Sequence, residues 1–380
     1  MSPGGPPLGG VRILDLSRVL AGPYATMMLA DLGAEVIKIE PPAGDDTRGW
    51  GPPFRAGESA YFLAVNRGKK SVVLNLKTEE GKAALTRLLE GADVLVENFR
   101  PGTLARLGFP PEEVMRRFSR LIWCSVSAYG QYGPLSKKPG YDAIMQGEAG
   151  WMGLTGPPEG PPTKIGASLA DICAGMVASS GILAALFARE RDGHARRVDV
   201  ALFDSVVATL CYQAQGYLLT GEEPVRSGNA HPSLTPYESF EAADGQVIVG
   251  VGNDSLWKRF CRVVAPELDR PRFEKNPDRV RWRRELRALL DPIFRARSLD
   301  DWESTLGGAG IPVGRVRSVA DILESAQLRA RGMVVERTHP IVGKLRLVSN
   351  PIQFDGSSRA AALPPPTMGQ HTRELLEDSG

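Results

Sequence analysis

The sequence predicts an α/β protein: a Rossmann-like open parallel sheet in a discontinuous large domain, plus a smaller α+β domain. Three observations predict it. An apolar β-rich run at 11–15, a helical run at 23–32 and a second apolar run at 35–39 make a strand–helix–strand unit of about 30 residues. The rhythm returns at 71–76, 79–90 and 93–97, and a further β-rich run follows at 121–127. The chain has 380 residues, a length that suggests two domains.

Each element has a local reason. Residues 1–10 are rich in Gly and Pro and read as a flexible lead. Pro23 suits the first turn of a helix, and Gly33 suits its C-terminal cap. Between 137 and 166 Gly and Pro dominate, and a long irregular stretch inside a compact domain usually forms a binding loop. The run 171–190 is apolar almost all round, as expected of a buried helix. Its longest apolar part, 175–188, is too short to span a membrane and contains two serines. The character changes after Thr220. The stretch 221–236 reads as connecting chain, 245–252 as a strand ending in glycines, and 256–330 as mostly amphipathic helix. The Arg-rich segment 279–287 within it reads as a solvated helix face. From Met333 short β-like pieces return, followed by a triple-proline stop at 364–366 and a terminal helix. This divides the chain into a large domain, 1–215 completed by 329–380, a linker at 216–225 and a small domain, 226–328.

Composition excludes several functions. Lys and Arg number 46 against 44 Asp and Glu, a net charge of +2, so no basic footprint for nucleic acid is present. An anionic ligand must be held by local donors. The four cysteines, Cys124, Cys173, Cys211 and Cys261, form no CxxC pair and read as small hydrophobes. Of the four histidines no two stand at metal-ligand spacing, so no metal site is expected. His194, His339 and His371 sit in polar or Pro-containing stretches typical of surface histidines, and His231 lies beside the linker. The N-terminus has neither the apolar core of a secretory signal nor the arginines of a transit peptide, which suggests a cytoplasmic protein.

The loop after the first strand, Leu16-Ser-Arg-Val-Leu-Ala-Gly22, lacks G-x-G-x-x-G, so no dinucleotide cradle exists. Glu40 then reads as an ordinary strand-end residue. P-loop, HExxH and G-x-S-x-G motifs are all missing. The sharpest candidate is Asp171, at the start of the buried helix. Ser168 with an acid three residues on is a variant of the capping box, which gives a structural reading. The functional reading is nucleophilic: a helix N-terminus stabilises the carboxylate anion, and carboxylates attack activated acyl groups.

Four segments, Leu16-Ser-Arg-Val-Leu-Ala-Gly-Pro, Ala30-Asp-Leu-Gly-Ala-Glu-Val-Ile-Lys-Ile-Glu, Val96-Glu-Asn-Phe-Arg-Pro-Gly and Ser168-Leu-Ala-Asp171, resemble the class III CoA-transferases. The resemblance runs from about residue 9 to Met368-Gly-Gln-His-Thr. Within the family, Gly49-Trp-Gly-Pro-Pro-Phe, Val65-Asn-Arg-Gly-Lys-Lys-Ser, Gly140-Tyr-Asp-Ala and His231-Pro-Ser-Leu-Thr-Pro-Tyr are closest to the members that move CoA between succinate and glutarate. The resemblance implies a transferase that moves CoA from an acyl-CoA, with succinyl-CoA the first choice, to a carboxylic acid, with a dicarboxylate the first choice. Asp171 would carry anhydride and aspartyl-CoA thioester intermediates, with coenzyme A as substrate and no bound cofactor. It assigns CoA contacts to Ala21, Leu74, Asn75, Lys77, Asn98, Phe99, Arg100, Arg106, Lys138, Tyr141 and Asp142. It places His231, Tyr237, Gly252 and Asn253 near the acceptor acid, where His231 is either a donor to the acid or a loop residue. It also implies an interlocked homodimer of two threaded ring-like chains. Leu20 stands where formyl-CoA transferases have glutamine, and Pro41 replaces a nucleotide-binding arginine. The family's racemases are the alternative. They use a histidine and a glutamate as acid and base, and Tyr141 and Asn253 stand at those positions here; neither suits proton exchange near neutral pH.

Overall fold

The computed structural model describes residues 5–355, 357–358 and 361–377; the first four residues of the flexible lead lie outside them. Two compact units emerge. The larger draws on the chain up to Trp151, on Lys164–Glu222 and on the chain from Ala326; the smaller is made of Met152–Thr163 and Glu223–Ser325.

The larger unit is built on six parallel strands, here numbered within this sheet: β1 (Arg12–Asp15), β2 (Glu35–Glu40), β3 (Lys69–Val73), β4 (Val94–Glu97), β5 (Ile122–Ser127) and β6 (Arg197–Ala201). Their spatial order is β3-β2-β1-β4-β5-β6. This is the doubly wound order, with its switch point between β1 and β4. The sheet is the open parallel α/β architecture that the sequence predicts. β3 begins earlier than the apolar run at 71–76, because Lys69 is fully buried against Asp15. β6 escaped sequence reading, since Arg197 and Asp199 mask its two valines.

Helix α1 (Ala21–Asp31) and helix α2 (Leu169–Asp192) pack against one face of the sheet. Pro23 is the third residue of α1 rather than its first, and Gly33 follows the helix at φ +103°. Along α2, Ala170, Ala174, Ala178 and Ile182 are fully buried. The helix is long and apolar enough to cross a membrane by composition, but half of it is buried in this fold. The stretch 137–166 is less irregular than expected, holding the helices Asp142–Glu148 and Trp151–Leu154. The helix Cys211–Thr220 runs on to the start of the irregular chain. The four cysteines are free; Cys124 and Cys261 are buried, Cys211 is exposed.

The C-terminal segment covers the open edge of β3. His371 N–H donates to the Ser71 carbonyl at 2.9 Å, and Ser71 N–H donates to His371 Nδ1 at 3.1 Å. A covered edge cannot recruit another strand. His371 is therefore half-buried, and His339 is fully buried with Nδ1 accepting from Ile341 and Val342 N–H; the surface reading fails for both.

The smaller unit packs a three-stranded antiparallel sheet, which includes Tyr237–Ala242, Gly245–Gly250 and Val313–Arg315, against helices. Its core is aromatic: Phe240 stacks on Phe294 at 4.2 Å, and Phe294 lies 4.5 Å from Trp302. The arginines of 279–287 are not all on a solvated face. Arg279 is fully buried and donates to the carbonyls of Thr235, Phe273 and Glu274 at 2.8–2.9 Å. Arg283 donates to Thr235 Oγ1 at 2.9 Å, and Arg287 to the Ser239 carbonyl at 2.7 Å. The irregular chain before Tyr237 has no ladder to use its carbonyls, so buried guanidinium groups meet that need.

Candidate active site

Ligands of doubly wound sheets bind outside the carboxyl ends of the strands, at the switch point. A cavity of about 380 Å³ lies there, within the larger unit. The β1–α1 loop contributes Arg18, Val19, Leu20 and Ala21, and the loop after β4 contributes Asn98, Phe99 and Arg100. The 138–141 loop and Asp171 complete the wall.

Asp171 is 8% exposed and sits in the first turn of α2. Ser168 precedes α2 but makes no side-chain cap. Asp142 caps it instead, its Oδ1 accepting Ala170 N–H at 2.8 Å. The helix-end field was expected to hold Asp171 as a ready anion. Burial, together with the nearby Asp142 charge, outweighs it and pushes the Asp171 carboxyl up to about 7. The result is a carboxylate of raised basicity on the wall of the cavity.

Two neighbours were missed by sequence reasoning. Burial raises the Tyr61 phenol to about 12, with the Asp171 charge adding to it and a Ser168 hydrogen bond opposing it. Tyr61 packs edge-on against Trp50 at 5.2 Å. Nothing in the spacing around Tyr61 marks it, since the chain folds it back from a distant helix. The second is Val19, at φ +70°. A valine gives no sign of a left-handed conformation.

Of the residues assigned to CoA, Ala21, Asn98, Phe99, Arg100, Lys138 and Tyr141 line the cavity beside Asp171. Asn98 brackets Arg18: Oδ1 accepts Arg18 N–H at 2.8 Å, and Nδ2 donates to its carbonyl at 2.6 Å. The Arg18 guanidinium lies 5.6 Å over the Phe99 ring. Lys138 is ion-paired with Glu148 and lies 5.4 Å from the Tyr129 ring centre. Ala21 opens α1, so free N–H groups of a helix start lie at the wall. Leu74, Asn75, Lys77, Arg106 and Asp142 do not line this cavity. Leu74 is buried, Asn75 Oδ1 accepts Lys77 N–H at 3.1 Å in the turn after β3, and Arg106 donates to Thr103 Oγ1 at 2.9 Å. Glu40 is no ordinary strand end: it is buried, paired with Arg48 at 2.7 Å, and accepts from Ser71 Oγ at 2.6 Å.

The four residues assigned to the acceptor lie in the smaller unit. His231 and Tyr237 meet there with ring centres 5.3 Å apart, and His231 N–H donates to the Tyr237 carbonyl at 2.8 Å. Burial and Arg283 hold the His231 ring below its ordinary pKa. Asn253 Oδ1 accepts Leu256 N–H at 2.8 Å and caps the helix Asp254–Val264. A side chain on Gly252 would meet open space. Among the described residues, no cluster of His, Cys, Asp and Glu suits a metal ion.

The doubly wound sheet thus carries a buried carboxylate at its switch point and no glycine-rich dinucleotide cradle. Comparison with known proteins gives the class. Residues 8–372 match the profile of CoA-transferase family III. The chain is 43% identical over 375 residues to succinyl-CoA:glutarate CoA-transferase of Mus musculus, covering 98% of this chain and 86% of that one. It is also 43% identical over 354 residues to acetyl-CoA:oxalate CoA-transferase of Acetobacter aceti, covering 92% and 90%. The crystal structure of a CAIB/BAIF family protein from Brucella suis matches with a TM-score of 0.88 at 38% identity, covering 99% of this chain and 100% of that one. The chain belongs to CoA-transferase family III, and it is an enzyme of that class.

Proposed function

We propose that the protein moves CoA from succinyl-CoA to a second dicarboxylate, with Asp171 as the nucleophile. The observation that carries this reading is Asp171 itself, buried on the cavity wall with its carboxyl at about 7. Names of similar proteins support the substrate class: succinate–glutarate and oxalate transferases are about equally similar to this chain.

The chemistry follows from a carboxylate nucleophile. Asp171 attacks the thioester carbonyl, the C–S bond breaks, and a mixed anhydride forms as CoA thiolate leaves. The thiolate then attacks the aspartyl carbonyl, releasing succinate and leaving an aspartyl-CoA thioester. The acceptor carboxylate displaces the thiolate to form a second anhydride. The thiolate finally attacks the acceptor acyl carbon, and the Asp171 carboxylate is restored. The thioester is conserved throughout, so the cavity must exclude water from both anhydrides. Ala21, Asn98, Phe99, Arg100, Lys138 and Tyr141 serve the CoA on the cavity wall, and Leu74, Asn75, Lys77, Arg106 and Asp142 extend that path. His231, Tyr237, Gly252 and Asn253 serve the acceptor.

The enzyme works as a homodimer. Exposed apolar side chains support this: Met176, Val177 and Phe187 on α2, and Leu218 and Leu219 on the helix Cys211–Thr220. Light scattering coupled to gel filtration measures the mass; a monomer removes this part of the reading.

The test mixes the protein with succinyl-CoA and a panel of acids that includes glutarate, oxalate, malate and mesaconate. New CoA esters are read by mass spectrometry, beside Asp171→Ala. A new ester that vanishes in the variant is the expected result. No ester, together with α-proton exchange of a branched acyl-CoA in deuterated water, makes the protein a racemase instead.

A further inference from the structure

The β1–α1 loop forms one wall of the cavity, and its backbone is strained. Val19 holds φ +70°, a conformation that β-branched residues rarely take. Such a residue persists only where its surroundings over-determine it. Here Asn98 brackets Arg18 in the middle of the turn, and two buried charges hold the residues on either side. Lys38 and Asp45 are almost wholly excluded from solvent, with Nζ 2.8 Å from Oδ2. Lys38 Nζ donates to the Ser17 carbonyl at 2.9 Å. Asp45 Oδ1 accepts from Val19 N–H at 3.4 Å, and from Thr47 N–H and Oγ1 at 3.0 and 2.8 Å. The pair thus holds the turn at both ends, one residue either side of Arg18.

Neither charge lines the cavity, whose wall here is Arg18, Val19, Leu20 and Ala21. A buried ion pair is weak evidence for stability, because apolar residues of like volume often serve as well. Apolar residues would not, however, supply a donor for the Ser17 carbonyl and an acceptor for the Val19 N–H. Val19 and Leu20 pack in one apolar group with Tyr61 and Ile172, so the turn is in register with the first turn of α2.

We propose that the Lys38–Asp45 pair is a positioning device for acyl transfer. It clamps Ser17 and Val19, holds the left-handed turn, and so sets the wall that directs the acyl group onto Asp171. The inference rests on the transferase reading. Without the clamp Val19 relaxes to negative φ and carries Leu20 with it. A misplaced wall costs attack geometry rather than binding of the distant CoA moiety.

The test is a set of variants assayed for transfer: Lys38→Met, Asp45→Leu, the double variant, and each combined with Val19→Gly. Glycine adopts positive φ without strain, so it should need the clamp less. Each single variant should lower kcat by roughly tenfold or more while KM for the thioester stays within about twofold. The double variant should be no worse than the worse single. The kcat penalty of Lys38→Met should shrink at least threefold in the Val19→Gly background. An unchanged kcat, a KM that rises in step, or an equal penalty in both backgrounds overturns the inference. If Lys38→Met does not fold, Asp45→Leu with and without Val19→Gly decides on the same criteria. Failure of the parent protein to transfer CoA counts against the transferase reading, before any variant is compared.

Discussion

Asp142 Oδ1 accepts the backbone N–H of Ala170 at 2.8 Å and lies 3.5 Å from the backbone nitrogen of Asp171, so one carboxylate caps the helix that carries the other. The helix end would ordinarily stabilise an anion at Asp171. Asp142 already occupies that end with its own negative charge. Burial of Asp171 and this neighbouring charge then act in the same direction, and both raise its carboxyl.

The pH dependence follows. Asp171 attacks only when ionised, so kcat/KM for the acyl-CoA should rise with pH through an apparent value near 7. Asp142→Asn keeps an oxygen to cap Ala170 but removes the charge. The rising limb should then move to lower pH. Transfer rates measured from pH 5 to 9 check this. A limb that stays in place in the variant assigns the whole elevation to burial.

Much of the sheet was legible in the sequence, because strands buried on both faces read as apolar runs and Pro and Gly punctuate them. β6 is one exception, its two valines masked by Arg197 and Asp199, and the start of β3 is another, at Lys69, a lysine whose charge is met by Asp15 from elsewhere in the chain. A pattern of residue types cannot show that a lysine has a buried partner. The arginines at 279–287 misled in a similar way: Arg279 is buried, Arg283 and Arg287 are half-buried, and each has an acceptor 44–48 residues away. Asp171 was legible as a helix-start acid, but the helix-end argument alone placed its proton affinity too low. Its rise comes from burial, with the charge of Asp142, 29 residues upstream, adding to it.

Asp15 lends the fold an acid-sensitive contribution. Burial alone would raise its carboxyl, but the ammonium groups of Lys69 and Lys38 outweigh burial and bring it down to about 2. A depressed carboxyl stabilises the folded state above its unfolded value and loses that contribution as pH falls through its folded value. Stability of roughly 2 kcal/mol should therefore disappear between about pH 4 and pH 2. Urea unfolding at a series of pH values measures it. Asp15→Asn should flatten that part of the curve, and an unchanged slope would remove Asp15 from the acid response.

Asn253 separates a cap from a substrate contact. Its Oδ1 accepts Leu256 N–H at 2.8 Å and Ser255 Oγ at 2.7 Å. Asn253→Ala should cost about 1 kcal/mol of stability. Asn253→Asp keeps a good cap and should leave the melting temperature in place. A carboxylate there would repel a dicarboxylate acceptor, so KM for the acceptor distinguishes the roles. We expect KM for the acceptor to rise tenfold or more with a normal melting temperature, as an acceptor contact requires. An unchanged KM would give the side chain to the helix alone and remove Asn253 from the acceptor site.

Gly175 sets how closely the helix that carries Asp171 approaches the helix that opens the cavity wall. A Cβ at this position would stand 2.7 Å from the Ala21 carbonyl oxygen and 3.1 Å from Tyr24 Cδ1. Replacing a helical glycine with alanine gains up to about 1 kcal/mol in helix propensity. Overpacking against a fixed group costs roughly 1–3 kcal/mol. The blocking atom here is backbone, which cannot turn aside as a side chain does, so the steric cost should win. Gly175→Ala should be destabilised by about 1 kcal/mol in urea unfolding. Its transfer rate should fall further than that loss accounts for, because Ala21 and Leu20 move away from Asp171 as the helices part. If the variant is instead more stable than the parent and equally active, the two helices adjust freely, and the distance between Ala21 and Asp171 does not limit transfer.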